Sequence, residues 1–187
     1  MKLLRFALAA SMLATSFASQ AAPLLFNGHY YDYITSGQNF TLDEALADAA
    51  TRSYGGDAGY VATVTSQDEQ DFIHSSVTAN TAWIGGHDRA SEGTFRWVNG
   101  PEAGQAFSFT FWSGAEPNDC CSGEDDAVIN WSGGGQWNDI GLPSFPDYRI
   151  GYVIEYGGQR QGLPEPGSLA LIGFALAGLS AFRRRKA

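Results

Sequence analysis

Glu116-Pro117-Asn118-Asp119-Cys120-Cys121-Ser122-Gly123-Glu124-Asp125-Asp126, followed by Trp137-Asn138-Asp139, is the stretch on which the reading of this chain turns. From Trp97 to Tyr148 there is no Lys or Arg, yet there are eight Asp and Glu, six of them between Glu116 and Asp139. Carboxylates crowded without counter-ions repel one another. They are tolerated when solvated, or when a cation sits among them. The donors here are carboxylates, amides and a glycine-rich backbone, with no histidine. That menu suits Ca²⁺, which takes roughly six to eight oxygen ligands, and disfavours Zn²⁺.

Working outward, Thr41-Leu42-Asp43-Glu44 is a capping box that opens an Ala-rich helix running to Tyr54. Ser66-Gln67-Asp68-Glu69 repeats the device before Phe72 and Ile73 and predicts a second helix. Between them, Tyr60 to Thr65 is β-rich and of strand length. After about Thr81 the pattern changes to strand-like pieces separated by glycine: Ala82-Trp83-Ile84, Phe95-Arg96-Trp97-Val98, residues 127–131 and residues 148–156. Residues 107–142 read as a long loop-rich region, of a length that is usually functional or ordered by something. The class is α+β, without internal repeats.

The 187 residues carry a net charge of −9, but the charge is unevenly placed. Residues 22–160 hold five Arg, no Lys and 19 Asp and Glu. Such an acidic domain repels nucleic acid and anionic lipid. Lys2 and Arg5 precede an apolar stretch to Phe17 and then Ser19-Gln20-Ala21, which reads as a signal peptide over 1–21. At the other end Leu163-Pro164-Glu165-Pro166-Gly167-Ser168 precedes an apolar segment, residues 169–182, and then Arg183-Arg184-Arg185-Lys186. That apolar segment is short for a bilayer, and the basic cluster would stay cytoplasmic, leaving the acidic domain outside. The order of these three parts in residues 161–187 resembles the PEP-CTERM sorting tail of Gram-negative bacteria. The resemblance implies processing by an exosortase, transient membrane association through the apolar helix, and delivery to the cell surface or its polysaccharide matrix. A plain membrane anchor is the alternative.

Glu116-Pro117-Asn118, Glu124-Asp125 and Trp137-Asn138-Asp139, taken together, resemble the sugar-binding calcium site of C-type lectin domains. Leu42-Asp43-Glu44-Ala45, Ala62-Thr63-Val64-Thr65-Ser66, Trp83-Ile84-Gly85-Gly86 and Tyr152-Val153-Ile154-Glu155-Tyr156 occur in the order that family has. The resemblance covers residues 30–156. It implies a C-type lectin-like fold over 22–160, with two helices, small antiparallel sheets and a long calcium-binding loop region. It also implies a primary Ca²⁺ held by Glu116, Asn118, Glu124, Asn138 and Asp139, with two neighbouring sugar hydroxyls completing its shell. Pro117 would be cis, and Glu-Pro-Asn implies mannose, glucose or fucose-type ligands. Asp88 and Glu92, with Asp119 and Glu124, match an auxiliary calcium position of some members; solvated loop acids are the other reading. The resulting expectation is an exported, calcium-dependent carbohydrate-binding protein. The rival is a lectin-like structural or protein-binding module without sugar binding.

The chain departs from the family where two disulfides are usual: Ala49, Ala127 and Ile154 stand at three of the positions, and the fourth falls near Gly141 or Leu142. The only cysteines, Cys120 and Cys121, are adjacent; a vicinal disulfide, free thiols or intermolecular bridges all fit the sequence. His29, His74 and His87 are scattered, and neither a Gly-x-Ser-x-Gly elbow nor a phosphate-cradling loop is present, so no enzyme is expected. Paired carboxylates could hydrolyse a glycoside, but a cation explains their spacing better. Trp112, Trp131 and Trp137 could stack on sugars, although aromatics in such a domain are more often core.

Overall fold

The computed structural model describes residues 21–35 and 39–157. The expected signal peptide, apart from Ala21, and the PEP-CTERM tail lie outside them. In chain order the elements are β1 (Leu24–Phe26), β2 (His29–Ile34), α1 (Leu42–Ala50), β3 (Ser53–Tyr54), β4 (Asp57–Val61), α2 (Gln67–Phe72), β5 (Ala82–His87), β6 (Arg96–Trp97), β7 (Glu124–Ser132), β8 (Gln136–Pro143) and β9 (Gly151–Tyr156). A π-helical turn, Ile73–Val77, extends α2, and a 3₁₀ turn, Cys120–Ser122, precedes β7. The α+β class and both expected helices are present.

The capping box forms as read: the Thr41 hydroxyl accepts from the Glu44 amide at 3.3 Å, and the Glu44 carboxylate accepts from the Thr41 amide at 3.0 Å. The helix stops at Ala50 rather than Tyr54. Thr51 caps it, and Ser53-Tyr54 pair with Ala58 and Asp57 across Gly55-Gly56, whose φ values of 61° and 95° make a hairpin turn that glycine takes without steric cost. The strand expected over Tyr60 to Thr65 is displaced to Asp57–Val61. Ala62 leaves the ladder to sit in a fork, its amide donating to Val153 and its carbonyl accepting from Gly85. Below that fork β5 and β9 pair directly and in parallel, Trp83 opposite Tyr152.

The sheet runs β1-β2-β9-β5-β7-β8, with the β3–β4 hairpin also on β9 and β6 on β5. Its central strands are buried on both faces, and the pleat divides their side chains between two clusters. Ala82 and Ile84 of β5, Ala127 and Ile129 of β7 and Val153 of β9 join Trp97 and Trp137 on one side. Trp83, Val128, Tyr152 and Ile154 join Leu42, Ala45 and Ala49 of α1 on the other. Ala49, Ala127 and Ile154, where the resemblance would put cysteines, are all fully buried in close packing.

Residues 107–142 are less irregular than the sequence suggests, because β7 and β8 form a long antiparallel pair inside them. Trp137 anchors the preceding loop to that pair: its amide donates to Phe111 at 2.8 Å, and its carbonyl accepts from Ser113 at 2.9 Å. Its indole N–H donates to the Gln70 side chain at 2.6 Å, and its ring packs against Trp97, Phe107, Phe109 and Trp112. Replacing Trp137 by Ala is expected to cost about 3–5 kcal/mol, read as a drop in the urea midpoint of the tail-free domain. A loss below about 1 kcal/mol would show that the loop is anchored elsewhere.

Candidate functional site

The anchor at Trp137 decides which acids meet. With residues 111–113 held along Trp137, the chain turns back at Glu116, whose amide donates to Ser113 at 3.0 Å, and passes Asn118 and Asp119 across the next residues of β8. The Asp139 carboxylate accepts from the Asn118 amide at 3.2 Å and from the Asp119 amide at 2.9 Å. The Asn118 side-chain amide donates to Glu116. Asp119 accepts from the amide of Glu124, the first residue of β7, at 2.9 Å. The bonds therefore bring Glu116, Asn118, Asp139 and Glu124 into one neighbourhood, with Asn138 adjoining in β8. The Glu116–Pro117 bond is cis, as is Leu142–Pro143.

Buried acids elsewhere in the molecule are fully engaged. Glu155 accepts from Tyr60 at 2.6 Å, from the Thr63 amide and from His29; Glu69 accepts from Tyr31 at 2.6 Å and from the Thr65 amide at 2.8 Å. Asp126 takes a two-pronged grip from Arg89, both contacts at 2.8 Å. The loop acids contrast with these. Among the described residues, buried side-chain oxygens without a partner occur at Asn138 in β8 and at Asp88, which groups with Glu92 and Asp125, and the one such nitrogen is on His87, the residue before Asp88. Asn138 is 3% exposed and uses its NH₂ on the Asp139 carbonyl, which leaves Oδ1 with nothing to accept from. An unpaired buried carbonyl is costly, and a cation is one partner that would satisfy it.

The electrostatics agree. Burial, and then the Asp139, Glu116 and Asp119 charges, push the Glu124 carboxyl up to about 7. Glu116 is raised by burial and by Asp139. Asp88 is raised to about 7 by burial, then by Glu92 and Asp125. Among the described residues no positive side chain hydrogen-bonds these three groups; Arg89 serves Asp126 and Asp43.

Asp88, Glu92 and Asp125 can place oxygens within 4.8 Å of one another, the one such trio of acids among the described residues. Asp119, expected with Asp88 and Glu92, is instead bonded to Glu124 and Asp139. Asp125, which the sequence offered only as part of the Glu124-Asp125 motif, takes Asp119's place in this trio. His29 pairs with Glu155, and His74 bonds Asn130 at 2.8 Å. Trp137 is core, Trp112 packs on it, and Trp131 is 41% exposed at the other end of β7. The two cysteines form a vicinal disulfide. No helix among the described residues is long and apolar enough to cross a membrane.

Known proteins resemble both parts of the chain. The family model for the PEP-CTERM protein-sorting motif matches residues 163–186, which marks the chain for export through the cell envelope. Halomucin of Haloquadratum walsbyi is 37% identical over 150 residues, 75% of this chain but 2% of that protein. Lectin BRA-3 of Megabalanus rosa is 41% identical over 81 residues, 43% of this chain and 47% of that one. These relatives are thus matched over less than half of their own length. Among solved structures, the C-type lectin CEL-I from Cucumaria echinata has the same fold, with a TM-score of 0.59 at 22% identity, covering 75% of this chain and 98% of that one. The C-type carbohydrate-recognition domain of cow CD23, in the presence of GlcNAc2Man3 oligosaccharide, has a TM-score of 0.57 at 25% identity, over 74% and 95% of the chains. The family model for the lectin C-type domain matches residues 47–141, half of the sequence, and the chain belongs to the C-type lectin domain family.

Proposed function

We propose that this protein is an exported lectin that binds carbohydrate through Ca²⁺, with mannose, glucose or fucose-type sugars of surface or matrix polysaccharide as its ligands. The observation that carries the reading is the buried, partnerless Oδ1 of Asn138 among carboxylates that have no counter-ion. Glu116, Asn118, Glu124, Asn138 and Asp139 would hold the ion, whose chemistry is to take two neighbouring sugar hydroxyls in place of water. The carboxylates of the set accept hydrogen bonds from those hydroxyls, and the amide NH₂ groups of Asn118 and Asn138 donate to them. Asp88, Glu92 and Asp125, with Asp119 and Glu124 nearby in sequence, supply an auxiliary position that steadies the loop. The Glu-Pro-Asn motif and the cow CD23 domain with its mannose-containing oligosaccharide support the choice of sugar class. The activity is binding; no bond is made or broken. The exported location follows from the sorting motif, with an exosortase as the processing partner.

Calorimetric titration of Ca²⁺ into the tail-free domain, followed by retention on mannose resin with and without chelator, tests the reading directly. Chelator-sensitive retention is expected; calcium binding without retention on any glycan would leave a structural module instead. Asn138→Asp keeps an oxygen for the ion and loses the donor, so calcium affinity should hold within about tenfold while retention is lost.

The pH dependence has a definite sign. The raised carboxyls keep protons in the fold that the unfolded chain gives up near pH 4, so their protonated forms favour folding, and that contribution is lost as pH rises through their folded values, up to about 7 for Glu124 and Asp88. His29, raised by its bond to Glu155, acts in the same direction, while His87, lowered by burial, opposes them. The calcium-free melting temperature should fall between pH 5 and 7.5 (roughly the window the raised groups define), and added Ca²⁺ should restore it at the upper end. A calcium-free melting temperature that rises across this window would contradict the assignment.

A further inference from the structure

Residues 118–124 join two of the candidate ligands, Asn118 and Glu124, and the Cys120–Cys121 disulfide lies in their middle. The backbone there is unusual. Asp119, Cys121 and Ser122 have φ of 48°, 61° and 87°, a region that L side chains seldom occupy. Hydrogen bonds hold part of this path: Cys120 O accepts from the Gly123 amide at 3.0 Å, and Cys121 O accepts from the Ser144 hydroxyl at 2.8 Å. Gly123 O accepts from the Ser144 amide at 3.2 Å, and the covalent tie adds a restraint between Cys120 and Cys121 themselves. Asp119, the neighbour of Cys120, carries any movement outward, because it donates to Asp139 and accepts from Glu124.

We propose that Cys120–Cys121 is a redox modification site, reducible by a dithiol, whose oxidised form holds the loop in the shape that binds the cation. The inference rests on the calcium reading above. Cys121 is exposed, so a dithiol can reach it. A thiolate of the reductant attacks its Sγ, a mixed disulfide forms, and the Cys120 sulfur leaves as a thiolate. The second thiol of the reductant then closes its own ring and releases Cys121. The two electrons and two protons given up by the dithiol end on the two cysteines as thiols, and the dithiol becomes a cyclic disulfide. Freed of the tie, residues 119–122 relax toward ordinary backbone, and the ordering they then require is charged against cation binding. By reciprocity, the bound cation protects the disulfide from reduction by the same factor.

With two cysteines in the chain, a reductant has a single target, and the experiment is clean. Calcium is titrated into the oxidised domain, into the domain reduced with dithiothreitol and verified by thiol counting, and into the same sample after reoxidation. Affinity is expected to fall on the order of tenfold on reduction and to return on reoxidation, and Ca²⁺ should shift the dithiothreitol midpoint of reduction by the matching factor. Cys120→Ala/Cys121→Ala should bind like the reduced form. Equal affinities with both thiols free would overturn the inference while leaving the calcium reading intact. Absence of calcium binding in both forms would overturn both. Loss of the far-UV circular dichroism signal on reduction would also overturn it, since the bond would then be a general staple.

Discussion

Everything distinctive about the loop region hangs on the way Trp137 is gripped. Its ring fills the aromatic side of the core, its indole N–H is committed to Gln70, and its backbone is paired on both sides with residues 111 and 113. A residue held by packing, a side-chain hydrogen bond and a backbone pair at once has little freedom to shift, so the next two positions, Asn138 and Asp139, inherit its precision. The site is built on a strand of the main sheet, and the irregular chain is brought to it. Without that arrangement, six acids in a glycine-rich stretch would be spread by their own repulsion.

Buried acids in the loop differ from those in the rest of the molecule in what surrounds them. Glu69, Glu155 and Asp126 each sit in a shell of donors supplied by tyrosines, threonines, His29 or Arg89. Glu124 and Asp139 face mainly other acids and backbone amides. A fold able to satisfy buried carboxylates so thoroughly in three places has the means to do so in a fourth, and its failure at Asn138 and Asp88 singles out those positions. The long stretch without Lys or Arg has the same meaning at the level of sequence.

The candidate site was legible in the sequence to the degree that its chemistry is compositional. Oxygen donors without histidine, crowded and uncompensated, are the composition a hard cation would need, and Glu116, Asn118, Asp139 and Glu124 are brought together by the chain. Pairing was the harder part. Asp125 could not be separated from Asp126 until β7 existed, since neighbours on a strand point to opposite faces and only one of them meets Arg89. The β1–β2 hairpin went unread although Asn27-Gly28 marks its turn, with φ of 47° and 89°. The β8 strand was hidden by the polar residues that make it useful. The end of α1 was misplaced because alanine favours helix regardless of context, whereas the stop is imposed by a hairpin that docks on β9.

The sulfur chemistry of this chain also bears on how it reaches its folded state. Alanine and isoleucine fill the places where the family usually links distant parts of the chain, and the bond that remains joins neighbours one residue apart. Such a bond closes no loop and removes almost none of the unfolded chain's freedom. It also admits no wrong partner within the molecule, since two cysteines can pair in only one way. The chain can therefore reach its final shape with no search among disulfide pairings.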